Sequence, residues 1–280
     1  MIFTDLKLRI VPLIVLIAWS VAYISQINYD AWRYYSPSVL NTSFNEFIEP
    51  QPLSPQNTRL ISFGATEFAA NIYWLQLIQY YGGGTPYGQY RKLPELFDTV
   101  TELSPNFQQA YITGLIILPG EGFVDQALSL GEKGQKNLPD SWEMPYYTGL
   151  VYHIYKKDYA QAGAKFNQAA TFAGAPAITK LFAGIYFKEA DQRKKAYLIF
   201  QTVVATSEDQ YIIARAEKQL AHLDGIFTLE SAVAKYRQQF SVYPKNLNQL
   251  VTSNIIKKIP VSPFGVKYTY NPKTGRIGDD

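Results

Sequence analysis

The sequence predicts a mainly α-helical protein: a membrane-spanning helix, then a solenoid of paired helices, then a small α+β module. Three observations predict this order. An uncharged apolar run lies near the amino terminus, glycines recur every 35 residues through the middle, and residues alternate as in a β-strand near the carboxyl terminus. A chain of 280 residues is long enough to hold all three regions.

The apolar run extends for 20 residues, from Ile10 to Tyr29, without a charged side chain. A helix of this length, at about 1.5 Å per residue, crosses a bilayer core of about 30 Å. Lys7 and Arg9 precede the run, so the positive-inside rule places the amino terminus in the cytoplasm. We therefore expect residues 1–35 to anchor a single-pass protein of the inner (cytoplasmic) membrane, with its bulk periplasmic or extracytoplasmic.

The alternative for this run is a cleaved signal peptide, in which Ser20-Val21-Ala22 would serve as a poor cleavage motif. The polar and aromatic residues that follow the run favour the uncleaved anchor. Residues 36–57 then contain four prolines. Because proline removes a backbone donor and blocks helix propagation, this stretch is predicted to be a linker.

Helical periodicity begins at Thr58 and is expected to continue to the breaker that starts at Gly82. An internal repeat follows, and its glycines and alanines recur at spacings of 34 or 35 residues. Two helices approach closely only where a small residue faces a large one. The recurring residues are Gly114, Gly149 and Gly184, then Ala127, Ala162 and Ala196, with Phe166 and Phe200 after the last two alanines.

This pattern resembles the tetratricopeptide repeat family, whose consensus runs W-x2-L-G-x2-Y, then A-x3-F, then P. The best unit reads Gly149-x2-Tyr152, Ala162-x3-Phe166 and Pro176, and Trp74-x2-Leu77 resembles the start of another. The sequence differs from the consensus at Ile78, which replaces the glycine. It also differs at Pro119, where a Pro-Gly-Glu-Gly run is expected to make the turn of the Gly114 unit irregular. The resemblance implies a solenoid over residues 58–225 with a groove that binds other proteins.

The same resemblance implies a partner-binding groove formed by first-helix positions of successive units. The alternative is that Tyr111 and Tyr146 only pack between helices, and that His153 is an ordinary packed or surface residue. The predicted groove residues are Gln108, Tyr111, Leu115, Glu143, Tyr146, Leu150, His153, Ile178, Leu181 and Lys188.

The last region, residues 226–280, is predicted to be a small α+β module. An amphipathic helix is expected from Leu229 to Phe240 with Thr228 as its cap, followed by a short second helical turn within residues 243–251. Residues 266–270 alternate like a strand, and Asn271-Pro272-Lys273-Thr274-Gly275 predicts a hairpin turn into Arg276-Ile277.

This order resembles the soluble part of type II secretion pseudopilins. The residues that carry the likeness are Tyr243-Pro244, Leu247, Leu250, Pro260, Pro263-Phe264-Gly265, Tyr268 and Tyr270. Phe3-Thr4-Asp5 lacks the glycine of the processed pseudopilin signature, which argues against polymerisation. The resemblance therefore implies a recruited binding or capping unit.

Composition excludes most chemistries. Cysteine is absent, so disulfides, thiolate nucleophiles and cysteine metal ligands are excluded, and only two histidines occur, 69 positions apart. The net charge of +3 does not favour nucleic acid. The sequence thus predicts no enzyme and no cofactor.

The function expected is a membrane-anchored extracytoplasmic scaffold that binds other membrane or envelope proteins, as an accessory or assembly subunit of a larger inner-membrane complex. Its partners would be those proteins and the lipid bilayer. Two alternatives stay open: a component of a type II secretion or type IV pilus-like machine, and an envelope hydrolase built from Ser, Tyr and carboxylate groups.

Overall fold

The computed structural model of the chain describes residues 49–84 and 89–279, together with Ser20, Tyr23 and Ser25, which are helical. Most of the predicted anchor and of the linker therefore lies outside the described residues. Within the described part of the chain, no helix is both long and apolar enough to cross a bilayer.

The described residues are mainly α-helical, as predicted, with one short two-stranded sheet near the carboxyl terminus. The elements, in chain order, are α1 Pro55–Ile61, α2 Thr66–Gly82, α3 Leu93–Leu103, α4 Gln108–Gly120, α5 Val124–Asn137, α6 Glu143–Val151, a π-helical turn Tyr152–Lys156, α7 Tyr159–Ala169, α8 Ile178–Glu189, α9 Arg193–Thr206, α10 Gln210–Phe240, α11 Asn248–Thr252, β1 Tyr268–Tyr270 and β2 Ile277–Asp279.

Consecutive helices from α2 to α10 pack against one another, and α4 also contacts α6, as α8 contacts α10. The first helices of three pairs, α4, α6 and α8, begin at residues 108, 143 and 178, which are 35 residues apart. The periodicity of the sequence thus reappears as a periodicity of helix pairs, and this packing of consecutive helices is compatible with a solenoid.

Glycine lies against a large side chain where the paired helices cross. A Cβ atom on Gly149 would lie 3.1 Å from the ring of Phe166, and one on Gly184 would lie 2.5 Å from the ring of Phe200. At Gly114 a Cβ would overlap the side chain of Leu130. The prediction that small residues face large ones is confirmed, because a Cβ atom at these crossings would be too close to the facing side chain unless that side chain shifted.

Two hydrophobic clusters form the core. One lies between α2 and α6 and contains the fully buried Phe97 and Tyr111. The other begins at α7 and continues without interruption into the carboxyl-terminal segment, where it includes Leu250 and Ile277. The last helix pairs and the carboxyl-terminal segment therefore share one core.

Several predicted boundaries need correction near the amino-terminal helices. Helix α1 begins at Pro55, and the Ser54 side chain accepts a hydrogen bond from the Asn57 N–H at its start, so the linker ends before residue 57. The helix expected to run unbroken from Thr58 is interrupted, since Phe63 and Gly64 have φ values of 48° and 90°. Positive φ cannot be accommodated in a right-handed helix, so the chain turns there.

The turn that was expected to be irregular in the Gly114 unit lies just after α4, and Pro119 does not end that helix. Pro119 lies inside α4, which continues to Gly120. The turn into α5 is made by Gly122, whose φ is 89°. The interruption is therefore confined to the short connection after the helix.

The helix expected to begin after Thr228 is part of a much longer element. Helix α10 has 31 residues, and its cap is Asp209, whose carboxylate accepts hydrogen bonds from the N–H groups of Tyr211 and Ile212. The prediction that Thr228 caps a helix is wrong, because this residue lies in the helix interior. The predicted domain boundary between residues 225 and 226 falls inside α10.

The predicted terminal hairpin is confirmed. Strands β1 and β2 pair antiparallel, with Tyr268 opposite Asp279 and Tyr270 opposite Ile277. The turn between them follows the predicted Asn-Pro-Lys-Thr-Gly segment, in which Gly275 has a φ of 76°. The short helix expected before it is α11.

Candidate protein-binding site

Three of the predicted groove residues are buried: Tyr111, Leu115 and Leu181 are each at most 3% exposed. The Tyr111 hydroxyl accepts a hydrogen bond of 2.8 Å from the Asn137 amide, and burial raises the pKa of this tyrosine. These side chains fill the space between helices, as the packing alternative for Tyr111 expected. A partner therefore cannot contact these three side chains, and the accessible part of the predicted groove is smaller than the sequence suggested.

Four further predicted residues lie at or near helix ends, half-buried: Gln108, Glu143 and Ile178 begin their helices, and Lys188 lies in the last turn of α8. The Glu143 carboxylate accepts a hydrogen bond of 2.8 Å from the Ser141 hydroxyl. Lys188 pairs with Glu189 at 3.4 Å. An anion in the first turn and a cation in the last turn complement the helix dipole, so both charges have a role in helix stability.

The remaining predicted residues, Tyr146, Leu150 and His153, lie on one side of α6 and of the π turn that extends it, and are half-buried. Two of them belong to a set of rings from α6, α7 and α8 that are joined through the ring of Phe166, and we call this set the aromatic strip. The aromatic strip consists of Trp142, Tyr146, His153, Tyr159, Phe182 and Tyr186.

The aromatic strip is built over one buried ring. Phe166 is fully buried, and its ring centroid lies 5.2 Å from that of Tyr146, 5.2 Å from that of Tyr186 and 5.5 Å from that of Phe182. Edge-to-face and offset arrangements at such distances are favourable between aromatic rings. Phe166 therefore fixes the positions of rings contributed by two neighbouring helix pairs.

The π turn places His153 in this set. Its ring centroid lies 4.6 Å from that of Tyr186 and 5.9 Å from that of Tyr159. The turn ends at Lys157, whose φ is 54°, and the Asp158 carboxylate then caps α7 by accepting the Gln161 N–H at 2.9 Å. Single π turns within helices are frequent at functional sites.

His153 also carries a polar atom without a hydrogen bond: among the described residues its Nδ1 is buried and has no hydrogen-bonding partner. Burial lowers the pKa of His153, and the nearby Lys157 lowers it further. Burial raises the pKa of Tyr146 and of Tyr186. At neutral pH these rings are therefore uncharged, and the strip is an apolar surface with hydroxyl and imidazole groups.

The sequence prediction did not include Trp142, Tyr159, Phe182 or Tyr186. A signal for them exists, because Trp142 and Tyr146, like Phe182 and Tyr186, are four residues apart and so lie on one face of a helix. The groove positions were taken instead from the first-helix register implied by the resemblance. Tyr159, at the start of a second helix, has no other residue of the strip four positions away in the sequence.

The carboxyl-terminal segment is joined to the last helix pair through Arg193, at the start of α9. Its guanidinium donates to the Glu230 carboxylate at 2.7 Å and to the Ile277 carbonyl at 3.0 Å. Arg276 pairs with Asp191 at 2.5 Å on the same side. These contacts connect residues far apart in sequence, and no motif indicated them.

The residues that resemble pseudopilins hold this segment together internally. The Tyr268 hydroxyl donates to the His222 carbonyl at 3.0 Å, and the Tyr270 hydroxyl donates to the Pro244 carbonyl at 2.8 Å. Leu250 is fully buried. The motif residues thus attach the hairpin and its preceding loop to α10.

One serine–histidine contact bears on the hydrolase alternative. His222 Nδ1 lies 3.0 Å from the Ser262 hydroxyl, which also accepts the Phe264 N–H at 3.2 Å. Both side chains are buried, at 0% and 3% exposure, so a substrate does not reach the hydroxyl in this conformation. The contact fixes the loop before β1 against α10. Among the described residues, no group of three or more His, Asp or Glu side chains is arranged to hold a metal ion.

The likeness to tetratricopeptide repeats and to pseudopilins rests on residue spacing and on the motifs quoted above. No protein-family model matches the sequence, and no curated protein shows significant similarity to it. The family assignments therefore stay predictions.

Proposed function

We propose that this chain is a membrane-anchored scaffold that binds other proteins through its helical repeats, as an accessory or assembly subunit of a larger inner-membrane complex. Its anchor is the run from Ile10 to Tyr29, and its repeats are of the tetratricopeptide type. The mechanism is presentation of a surface near the membrane. Anchoring raises the effective concentration of the surface toward membrane partners, so a modest affinity gives useful occupancy.

The observation that carries this proposal is the aromatic strip. Its rings are half-buried, and several lie 4.6–6.4 Å from a neighbouring ring. Rings fixed in this way lose little conformational entropy when a partner covers them, and aromatic residues are enriched among the residues that dominate binding energy.

The chemistry of the strip favours a protein partner. The strip carries the hydroxyl groups of Tyr146, Tyr159 and Tyr186, and a tyrosine hydroxyl can both donate and accept a hydrogen bond. The rings themselves are uncharged, and charged side chains such as Lys157 and Glu189 border them. A partner segment with an apolar side chain and one polar group, such as an exposed helix or peptide, matches this combination.

The test uses the full chain with an affinity tag, extracted from native membranes in mild detergent and recovered with its partners for identification by mass spectrometry. We expect a defined set of membrane proteins with the wild type and at least a tenfold loss of them with Trp142→Ala/His153→Ala. The matched control is Tyr211→Ala, an exposed tyrosine of α10 outside the strip. Recovery of the chain alone, or equal loss in the control, would contradict the proposal.

The anchoring part has its own test. Membranes that contain the full chain are washed with alkaline carbonate, which removes peripheral proteins and leaves spanning ones. We expect the chain to stay in the membrane pellet. Release into the supernatant would show that the anchor does not span the membrane. This conclusion does not depend on which partner proteins are recovered with the tagged chain.

A second candidate function is docking within a type II secretion or pilus-like machine through the carboxyl-terminal segment. It is favoured by the arrangement of the pseudopilin-like residues, which hold a helix and a terminal hairpin together. Val261, which is exposed in the loop before β1, provides a probe. Co-purification of pseudopilins that is lost with Val261→Asp and kept with Trp142→Ala/His153→Ala would favour this candidate over the first.

A further inference from the structure

The first two helices carry an exposed apolar surface that the proposed function does not use. We infer that this surface lies in the interfacial layer of the lipid bilayer, beside the anchor, so that the repeats are held against the membrane. The inference rests on the anchoring part of the proposed function. We call the surface the apolar face and define it by Leu60, Phe63, Phe68, Ile72 and Leu75, which are 49–96% exposed.

The apolar face occupies the side of α2 that points away from the protein core. Phe68, Ile72 and Leu75 follow the spacing i, i+4, i+7 and so lie on one side of α2, while the buried Ala70 and Leu77 face α3 on the other side. Helix α2 has 17 residues, and no described helix has the length and apolarity to span a bilayer. Helix α2 is therefore apolar on both sides: one side is buried in the protein, and the other leaves an apolar stripe that lipid can cover.

The turn between α1 and α2 extends the same surface. Phe63 at this turn is 96% exposed and has a φ of 48°, and the next residue is Gly64 with a φ of 90°. A left-handed conformation is unfavourable for a bulky residue, so the turn is maintained at a cost in free energy. The turn places the ring of Phe63 at the exposed end of the α1–α2 helix pair, where it can insert into a membrane.

Charge distinguishes this face from other exposed apolar residues. From Leu60 to Tyr90 the sequence contains a single charged residue, Glu67, and its carboxylate accepts a hydrogen bond of 2.5 Å from Ser104 beyond α3. Asn71 and Gln79, which border the face, are uncharged. Lipid contact would therefore desolvate almost no charge, and desolvating charge is the main cost of such contact.

The chain itself keeps the face near a bilayer. The Leu53 N–H donates to the Tyr73 hydroxyl at 3.2 Å, so the polypeptide that leads from the anchor arrives directly at α2. Residues 30–52 separate the anchor from Leu53, and 23 residues reach at most about 75–85 Å. A face tethered within this distance of the membrane meets lipid at high effective concentration. If residues 10–29 span the bilayer, they cannot cover the apolar face.

The experiment uses the absence of cysteine from the chain, which allows single labels without background. Full-length Phe63→Cys, Phe68→Cys and Ile72→Cys are labelled with a nitrobenzoxadiazole fluorophore and inserted into vesicles of phosphatidylcholine and phosphatidylglycerol. The matched control is Leu198→Cys on α9, where the native side chain is 63% exposed. Two quenchers are compared: doxyl lipids, which act inside the bilayer, and aqueous iodide.

We expect doxyl lipids to quench the three labels on the apolar face at least twofold more than the control label, and iodide to quench mainly the control. Equal quenching by iodide at all four positions would overturn the inference. Protection of the face from both quenchers would also overturn it, because another protein surface, either a second copy or the chain's own amino-terminal segment, would then cover the face.

Flotation of the same labelled proteins in a density gradient separates the two proposals. A chain that floats with vesicles while its face labels stay accessible to iodide keeps its anchor and loses only this inference. A chain that fails to float contradicts the anchor, and the inference with it.

Discussion

The two ends of the helical array differ in how their apolar residues are covered. At the carboxyl-terminal end, α10 is covered by a loop and hairpin of the same chain, and Leu250 and Ile277 are fully buried there. At the amino-terminal end, α2 keeps Phe68 and Leu75 exposed at 68% and 56% among the described residues. Both ends carry similar residue types, so composition does not explain the contrast.

Each helix pair of a solenoid buries its apolar surface against its neighbours, so a terminal pair needs a separate cover. The carboxyl-terminal segment provides one, and it shares a hydrophobic core with α7 to α10. In our proposals the bilayer covers the other end. Whether a leucine such as Leu250 or Leu75 is buried therefore depends on whether another part of the chain, or the membrane, covers it.

The largest expected effect contrasts the same substitution at the two ends. Leu250→Ala should lower the free energy of unfolding by about 2–5 kcal/mol, because it leaves a cavity in a closed core. Leu75→Ala, on the apolar face, should change it by less than about 0.5 kcal/mol in detergent. Denaturant unfolding of the full chain, followed by circular dichroism, measures both. Equal losses would mean that α2 is covered in the folded protein and would break the comparison.

A smaller effect is expected from adding a methyl group. A Cβ atom on Gly225, in the middle of α10, would overlap the hydroxyl of Tyr268, which is itself bonded to the His222 carbonyl. Gly225→Ala should therefore cost about 1–3 kcal/mol, although alanine is the better helix former. The matched control is Gly82→Ala at the end of α2, where a Cβ atom would meet nothing within 4 Å.

The double variant Gly225→Ala/Tyr268→Phe sharpens this test. Removing the hydroxyl takes away the nearest overlapping atom, so the two substitutions should cost less together than the sum of their separate effects. Additive losses would show that overlap with the Tyr268 hydroxyl is not what makes Gly225→Ala costly.

The smallest expected effect is on the pH dependence of the free energy of unfolding. It involves His153 in the aromatic strip, between the two ends of the array. Because burial lowers the pKa of folded His153, the unfolded chain binds a proton more readily near its pKa of about 6.5. The contribution of the neutral histidine to stability is present above this pH and is lost as pH falls from about 6.5 through the folded pKa. Between pH 7.5 and 5.5, His153→Gln should therefore lose less stability than the wild type.

The check is to measure the free energy of unfolding at both pH values, with an NMR titration of His153 as an independent measure of its pKa. An identical loss in wild type and variant, or a titration at the ordinary pKa, would contradict the burial of this ring.

Much of the helical array could be predicted because repeated packing constraints leave repeated residues. Gly149 and Phe166, and Gly184 and Phe200, are recognisable in the sequence since helices cross closely only at such pairs. The hairpin was predictable from its turn residues. Helix continuity was not, because Thr228 is a good cap in isolation and the packing of α10 overrides that local preference.

The site was predicted only in part. The groove residues were predicted from their positions in the tetratricopeptide consensus. Those positions do not distinguish a half-buried residue such as Tyr146 from a buried one such as Tyr111. The attachment of the hairpin by Arg193 depends on residues 37 and 84 positions away. Long-range contacts of this kind leave no local spacing signal.

The helical class, the 35-residue repeat, the pairing of small with large residues at helix crossings and the terminal hairpin can all be predicted from the sequence, because each depends on neighbours within a few turns or one repeat. The set of aromatic rings in the strip, the continuation of α10 from the repeats into the carboxyl-terminal segment and the uncovered face of α2 are seen only in the folded chain. Those properties depend on how distant parts of the chain pack, and packing is a property of the whole fold.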